Sequence, residues 1–456
     1  EDMIQTFGSA YPKGESYRTE FCSLLNTLEK TDDLHEQESL LTRLEQVRRA
    51  ALLANPLLGF DRIVAVRRRP QADARTAMDG AIGMVNNWRT MQSIGIGAHL
   101  DDEIVELSHV RDDIRERVVF RPTRKQAIID TELHFNADRI AFAMAGEKEK
   151  NFRLWEVNLD GTAARQISPD DGEDVAHADP CYLPDGKLIF TSTAVYQGLP
   201  CTFGGDFMMC LYRLDPANSG VRQLTFEQDS NWSPTLLPNG RVLYQRWEYT
   251  DSAHANSRML FSMNPDGTDQ REFRGSGSWF PGSFFFARPL PNQSRRVIGV
   301  AGGHHDRCRS GRLFIFDSAA GRRDDAGVVA EIPYRGKKTI PVVRDGLIGN
   351  RFPQFLHPYP LSEKYHLVSM KPARDVPWGI YLVDVFNNQT LIRQSDDSAY
   401  LEPAPIKRQT PPPMLPDRVD TTSKEARVHI QDIYSGPGLA GVPRGVVKGI
   451  RVTEYY

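Results

Sequence analysis

The chain has 456 residues, too many for one ordinary hydrophobic core unless a repeat spreads them over like units. Hydrophobic side chains make up 40% and charged ones 25%, and 56 basic against 59 acidic groups leave a formal charge of −3. That balance offers no electrostatic footprint for nucleic acid or an anionic membrane, and no run nears the ~18 apolar residues of a membrane span. None of the five cysteines forms a CxxC or CxxCH, which excludes a covalent c-type haem and the paired-cysteine zinc signature within these residues.

Residues 1–57 read as a helical segment. Leu40, Leu41, Leu44, Val47 and Ala51 recur at helical spacing through 34–53, and Pro56 stops the pattern. The expected arrangement is a helix packed outside the main domain. Because the chain starts at Glu1 without Met, an export leader is expected to have been removed.

From Phe60 the pattern changes to short β-rich runs separated by hairpin turn pairs. One recurring unit is a turn followed by an apolar strand: Asn136-Ala-Asp-Arg-Ile140-Ala-Phe142, Pro184-Asp-Gly-Lys-Leu188-Ile-Phe190 and Pro238-Asn-Gly-Arg-Val242-Leu-Tyr244. A second is a strand ending in an acidic or amide turn, at Leu154–Asp160, Leu211–Asp215, Leu260–Asn264, Leu313–Asp317 and Ile380–Asp384. The closing turn residues lie 55, 49, 53 and 67 positions apart. Each step accommodates a four-stranded blade of roughly 40–50 residues, with the excess in loops. Stacking blades around an axis buries faces that no strand pair buries alone.

The expectation is an all-β chain, a β-propeller of six blades over residues 58–400, with seven the alternative. Five blades are clear between about 127 and 395, and a sixth comes from Ile63–Val66, Glu103–Leu107 and Val118–Phe120. Residues 401–456 read as a Pro-rich connector, Pro403–Pro413, followed by strands at Ala426–Tyr434 and Gly449–Tyr455 that pack on or close the propeller.

The strand-turn-strand repeat looks like the TolB-type propeller repeat of periplasmic and secreted bacterial proteins. Longer strings point further: Ala51-Leu-Leu-Ala-Asn-Pro-Leu57, Asp179-Pro-Cys-Tyr-Leu-Pro-Asp-Gly186, Gly198-Leu-Pro-Cys201, Arg246-Trp-Glu-Tyr-Thr-Asp251, Gly303-His-His305, His357-Pro-Tyr-Pro-Leu-Ser362, Tyr381-Leu-Val-Asp-Val-Phe386 and Gly441-Val-Pro-Arg-Gly445. Together they resemble the family named after the middle domain of the hydrazine synthase alpha subunit, from about residue 45 onward. The resemblance implies a six-bladed propeller and an exported bacterial protein, periplasmic or extracellular, or surface-anchored through its removed leader. Hydrazine chemistry does not carry over, because that enzyme works with CxxCH-bound haems.

Candidate chemistry lies in strand-exit loops. His304 and His305 follow an apolar strand and a Gly-Gly break, and neutral imidazole is a common transition-metal ligand. The loop after Val242–Gln245 lies in the same register and carries Glu248, Tyr249, Asp251 and His254. On this reading Glu248, Tyr249 and Asp251 form a proton-transfer set, and His254 joins His304 and His305 as ligands of a divalent transition metal. The alternative is structural: packing aromatics at Trp247 and Tyr249, a turn-forming Asp251, and histidines that are bonded or solvated. The long loop Ser192–Met208 is expected to cap the mouth. A disulfide is expected between Cys181 and Cys201, while Cys308 lies near the two histidines and Cys22 is isolated. Pro358 is expected to hold His357 extended, with its ring bonding a carbonyl, and Arg444 offers an anion or carbonyl contact.

No GxSxG elbow, P-loop, dinucleotide fingerprint or HExxH occurs. Three functions therefore stand open. One is a binding or scaffold module of a larger assembly, taking a small molecule, glycan or protein at the propeller mouth. Another is a metal- or carboxylate-dependent enzyme acting on a sugar or small polar substrate. The third is a redox protein using haem from another domain or subunit.

Overall fold

A computed structural model describes residues 1–70, 100–145, 151–249, 257–306, 309–334, 336–342, 344–349, 351–425 and 427–453, with the Pro70 and Cys201 side chains left out. Asp251, His254 and Cys308 lie outside the described residues. Contacts divide the chain into a unit of residues 1–417 and a second of 418–456.

Three helices open the first unit: α1 (Asp2–Phe7), α2 (Gly14–Leu28) and α3 (Leu34–Leu53). The Asp33 carboxylate caps α3 by accepting the amides of His35 (2.8 Å) and Glu36 (3.2 Å). Met3, Tyr11, Leu52 and Leu53 are buried in one cluster with Ile63, Leu107, Leu367 and Ile380, so the helical segment packs on the strands. No helix among the described residues is long and apolar enough to cross a membrane.

The rest of the unit is β-structure in antiparallel four-strand arrays. The first three strands are β1 (Arg62–Pro70), β2 (Leu100–Ser108) and β3 (Arg115–Phe120). Next come β4 (Ile128–Leu133), β5 (Arg139–Ala145), β6 (Phe152–Asn158) and β7 (Arg165–Gln166). A third set is β8 (His177–Tyr182), β9 (Leu188–Ser192), β10 (Cys210–Asp215) and β11 (Gly220–Gln223). The fourth is β12 (Asn231–Leu236), β13 (Val242–Trp247), β14 (Arg258–Met263) and β15 (Arg271–Arg274). The fifth holds β16 (Ser283–Pro289), β17 (Arg296–Gly302), β18 (Arg312–Asp317) and β19 (Val328–Ile332). The sixth holds β20 (Gln354–Pro360), β21 (Tyr365–Lys371), β22 (Gly379–Asp384) and β23 (Gln389–Arg393).

A last strand, β24 (Ala399–Pro405), returns to pair antiparallel with β1, giving the first sheet the order β24-β1-β2-β3. The fourth and fifth arrays join through one parallel bridge, Arg258 with Ser283. The leading strands meet their neighbours in a cycle, β4 to β8, β12, β16, β20, β24 and back to β4. Neighbouring arrays cover both faces of the middle strands, so β9, β14 and β22 are buried along their whole length.

Two expectations are corrected. Residues 399–405 complete the first sheet, whereas the segments expected as strands at Ala426–Tyr434 and Gly449–Tyr455 form none among their described residues. Among its described residues the second unit holds one short helical turn, Pro437–Leu439, and an Arg444–Asp432 ion pair at 2.6 Å. The expected Cys181–Cys201 disulfide is also absent, since Cys181 is a free buried thiol. Cys181 pairs with Ile189, three residues of β9 before the loop that carries residue 201, or roughly 10 Å at ~3.3 Å per residue. Burial instead pushes the Cys181 thiol well above the usual range.

The Pro-rich connector runs from 406 to 417 as a strap over the turns that follow the leading strands. Gln409 donates its amide to Phe135 O (2.8 Å) and its side chain to the Tyr359 hydroxyl (2.8 Å). Pro413 O would lie 2.2 Å from a Cβ at Gly240, whose φ of +81° also requires glycine. Asp417 ends the strap in a two-pronged pair with Arg213, at 2.6 and 2.7 Å.

Fully buried Arg68 in β1 ties the first array to the second. It pairs with Asp102 (2.7 Å) and donates to Ile128 O (2.8 Å), while the Ile128 amide donates to Asp102 (2.7 Å). Asp102→Ala leaves that guanidinium buried beside an empty acceptor, so unfolding free energy should fall by about 3–5 kcal/mol. Urea titration checks this; a loss below about 1 kcal/mol would show the tie to be dispensable.

Candidate functional site

Each leading strand bulges at the same place. Asp130, Asp179, Ser233, Phe286, His357 and Glu402 all have positive φ, between 47° and 56°, at register breaks where two residues oppose one. Four are followed by proline, at 180, 234, 358 and 403, which removes a ladder donor where the ladder is already interrupted. His357 is thus left-handed rather than extended, and neither ring nitrogen has a hydrogen-bond partner, so the expected carbonyl bond is not made.

The bulges line an axial cavity of about 80 Å³, together with Arg288, Glu132 and Tyr359. Around half of it, each carboxylate accepts an amide of the next array. Glu402 takes those of Asp130 (3.0 Å) and Thr131 (2.5 Å), Asp130 that of Asp179 (3.4 Å), and Asp179 that of Ser233 (3.1 Å).

Burial raises the proton affinity of all three acids. Asp130 is raised most, because Asp179 and Glu402 add like charge. The guanidinium of Arg309, buried over Phe285 at 4.6 Å, opposes this at both aspartates and is itself pulled down to about 10 by burial. Burial, with Arg68 and Arg288 nearby, lowers His357 to about 3, so its imidazole is neutral. At roughly 30 Å³ per water the cavity holds two or three waters, far below the ~300 Å³ of an ordinary organic-ligand pocket.

The residues singled out in the strand-exit loops take other parts. Glu248 ties its loop to the segment between β15 and β16, accepting from Ser276 Oγ (3.0 Å) and the Gly277 amide (3.3 Å) there and from Ser257 Oγ (3.2 Å) in its own loop. Tyr249 stands edge-on to Trp247 at 5.3 Å, Trp247 lies 5.8 Å from the His304 ring, and His304 lies 4.2 Å from His305.

The structure adds two residues the sequence did not single out. Asp306 gathers the amides of Gly303, Leu347, Ile348 and Gly349 at 2.6–3.0 Å, joining two loops. Asp345 bonds the exposed His305 and, with His304, brings three ligand atoms within 4.8 Å of one another. Arg258 lies against His304 Nδ1, which makes that nitrogen an acceptor and sets a positive charge beside any cation held there. No periodic signal marks Asp306 or Asp345, since both act through loop closure. The prolines after the bulges were a readable signal for the axial set.

Neither a family model nor a curated protein matches the sequence. Solved structures do. Hydrazine synthase of Kuenenia stuttgartiensis is similar at TM-score 0.55 and 18% identity, over 78% of this chain and 48% of that one. TolB from Acinetobacter baumannii is similar at TM-score 0.46 and 10% identity over 78% and 72%, and an oligogalacturonate lyase in complex with manganese at 0.42 and 11% over 73% and 79%. The chain has a β-propeller fold. It spans about half the length of the hydrazine synthase chain it matches.

The loop end also holds a buried acid, Asp229, which burial raises from 3.8 to about 6 against the opposing charge of Arg258. The folded state binds this proton more tightly than the unfolded state. Its ionisation therefore costs stability progressively as pH rises from 3.8 to about 6, and the cost is constant above. Asp229→Asn should remove that slope, so the stability difference between variant and wild type grows across the window and then levels. Parallel pH–stability curves would refute the assignment.

Proposed function

We propose that the chain is an exported six-bladed propeller of the hydrazine synthase alpha-like family, acting as a partner-binding module in a larger assembly. Six arrays, a cycle of leading strands and the β24–β1 pairing support the blade count. The long family-like strings and the partial match to a longer hydrazine synthase chain support the module reading.

The observation that carries the binding role is the loop between β9 and β10. It is fastened from within by the Gly198–Phe207 bridge, by Gly204 N to Leu199 O (3.1 Å) and by buried Leu199 and Met208. Its tip nevertheless presents Phe203 fully to solvent at φ +54°, with Tyr196 also exposed. A bulky residue held left-handed on an ordered loop costs stability and gains nothing by packing, which fits an anchor for a partner. The corresponding loops of the next two arrays add Tyr249, His304 and His305. The enzyme alternative has less support, since Glu248 is engaged in joining its loop to the segment between β15 and β16 and the axial cavity is too small for a sugar.

The test is native size-exclusion of the protein from its producing cells, beside a Tyr196→Ser/Phe203→Ser variant. Wild type should elute well above its 51.5 kDa and the variant as the lone chain with an unchanged melting temperature. A wild-type protein that runs alone, or a variant that stays in the complex, overturns the reading.

A further inference from the structure

We propose that residues 427–453 are a recognition arm that adds strands to the open edge of another polypeptide's β-sheet, an edge apolar on one face and acidic on the other. This rests on the partner-binding reading above and states what the partner offers beyond the surface that meets the loops.

The pattern comes first. Residues 427–433 run Arg-Val-His-Ile-Gln-Asp-Ile, and 448–453 run Lys-Gly-Ile-Arg-Val-Thr. In extended chain Val428 and Ile430 share one side, as do Ile450 and Val452, with Arg427, His429 and Gln431, or Arg451 and Thr453, on the other. That alternation belongs to a half-buried strand. Yet these four apolar side chains are 46–81% exposed, and neither segment forms a ladder among its described residues.

A clip gives the two segments a common base. Arg444 pairs with Asp432 (2.6 Å) and lies 5.4 Å over the Tyr434 ring, whose hydroxyl accepts the amides of Gly445 (2.7 Å) and Val447 (3.1 Å). Lys448 donates to Gly445 O (2.6 Å). The clip closes a loop around the turn Pro437–Leu439, and the segments leave it on either side. A flexible linker would be polar and poor in β-branched residues, unlike either segment.

Backbone and charge together say what covers the apolar rows. Burying those rows takes the backbone out of water with them, and an extended backbone then satisfies its amides only in a ladder. A two-stranded hairpin alone is marginal, so the missing strand comes from a sheet outside the arm. Arg427, Arg444, Lys448 and Arg451 stand against one acid, Asp432, which Arg444 already engages. Two arms laid edge to edge would set cations against cations, which argues against a second copy; an acidic edge matches them.

The experiment compares the native complex from the producing cells with the lone recombinant chain. Amides 427–433 and 448–453 should exchange freely in the lone chain and slow by roughly a hundredfold or more in the complex. Ile430→Asp/Val452→Asp should keep the wild-type melting temperature and dissociate from the complex at a protein concentration at least about tenfold higher, read by dilution on native size-exclusion. Arg451→Glu should act likewise, while Lys424→Glu, outside both segments, should behave as wild type. If a variant fails to fold, the exchange comparison on wild type decides. Protection already present in the lone chain means that the arm folds on its own propeller, and dimerisation of the lone chain through these segments makes the occupant a second copy. Either overturns the proposal, as does a complex that retains the arm variants while both segments still exchange freely. That last result leaves the loop anchor standing. A wild-type chain that enters no complex overturns both readings, and a complex lost only in the arm variants overturns the loop anchor alone.

Discussion

The fold turns on the bulge repeated in every leading strand. At the axis the strands crowd closest, and a regular ladder would aim backbone donors at a neighbour with nothing to receive them. Inserting one residue at positive φ re-aims the amide sideways. On half of the ring, a carboxylate from the preceding array receives it. Each such residue accepts a backbone conformation that non-glycine residues avoid, and the surrounding sheets hold it there. The arrays are thereby fastened through their centres as well as through apolar packing between their faces.

This fastening has an electrostatic consequence. Acids placed to receive amides are also placed close to one another, and burial removes the water that would screen them. The protein answers partly with Arg309, which arrives from the loop between β17 and β18 and stacks on Phe285. The other half of the ring uses no carboxylate. Ser233, Phe286 and His357 occupy the equivalent positions, so the axis is chemically lopsided even though its backbone repeats.

Much of the architecture was legible in the sequence because it rests on local rules. Helix α3 follows from its 3.6-residue apolar spacing, its Asp33 cap and Pro56, and the strands from turn pairs such as Asp185-Gly186 and Asn239-Gly240. The first blade was assembled from three weak runs, and β1, β2 and β3 cover them. The closing strand was misplaced because Leu401–Pro405 is short and proline-bearing, whereas the segments beyond 418 carry β-branched residues without a sheet to join. Side-chain roles were far less legible. Glu248 and His304 look like chemistry in sequence and are bonded to neighbours, while Asp130 and Glu402 look ordinary and sit at the axis. Which of two acids meets other acids is decided by register between arrays, and that is a non-local quantity.

The loop surface and the axis are not independent. His304, His305 and Arg309 lie within six residues of one another in a single loop. His305 takes part in the outer cluster with Asp345, and Asp306 fastens the loop to the 345–349 segment. Arg309 passes inward to face Asp130 and Asp179. Displacing this loop at the surface would move a buried positive charge relative to two buried negative ones, where Coulomb interactions are strongest. The charge balance at the axis and the placement of this loop are therefore tied through the one side chain of Arg309.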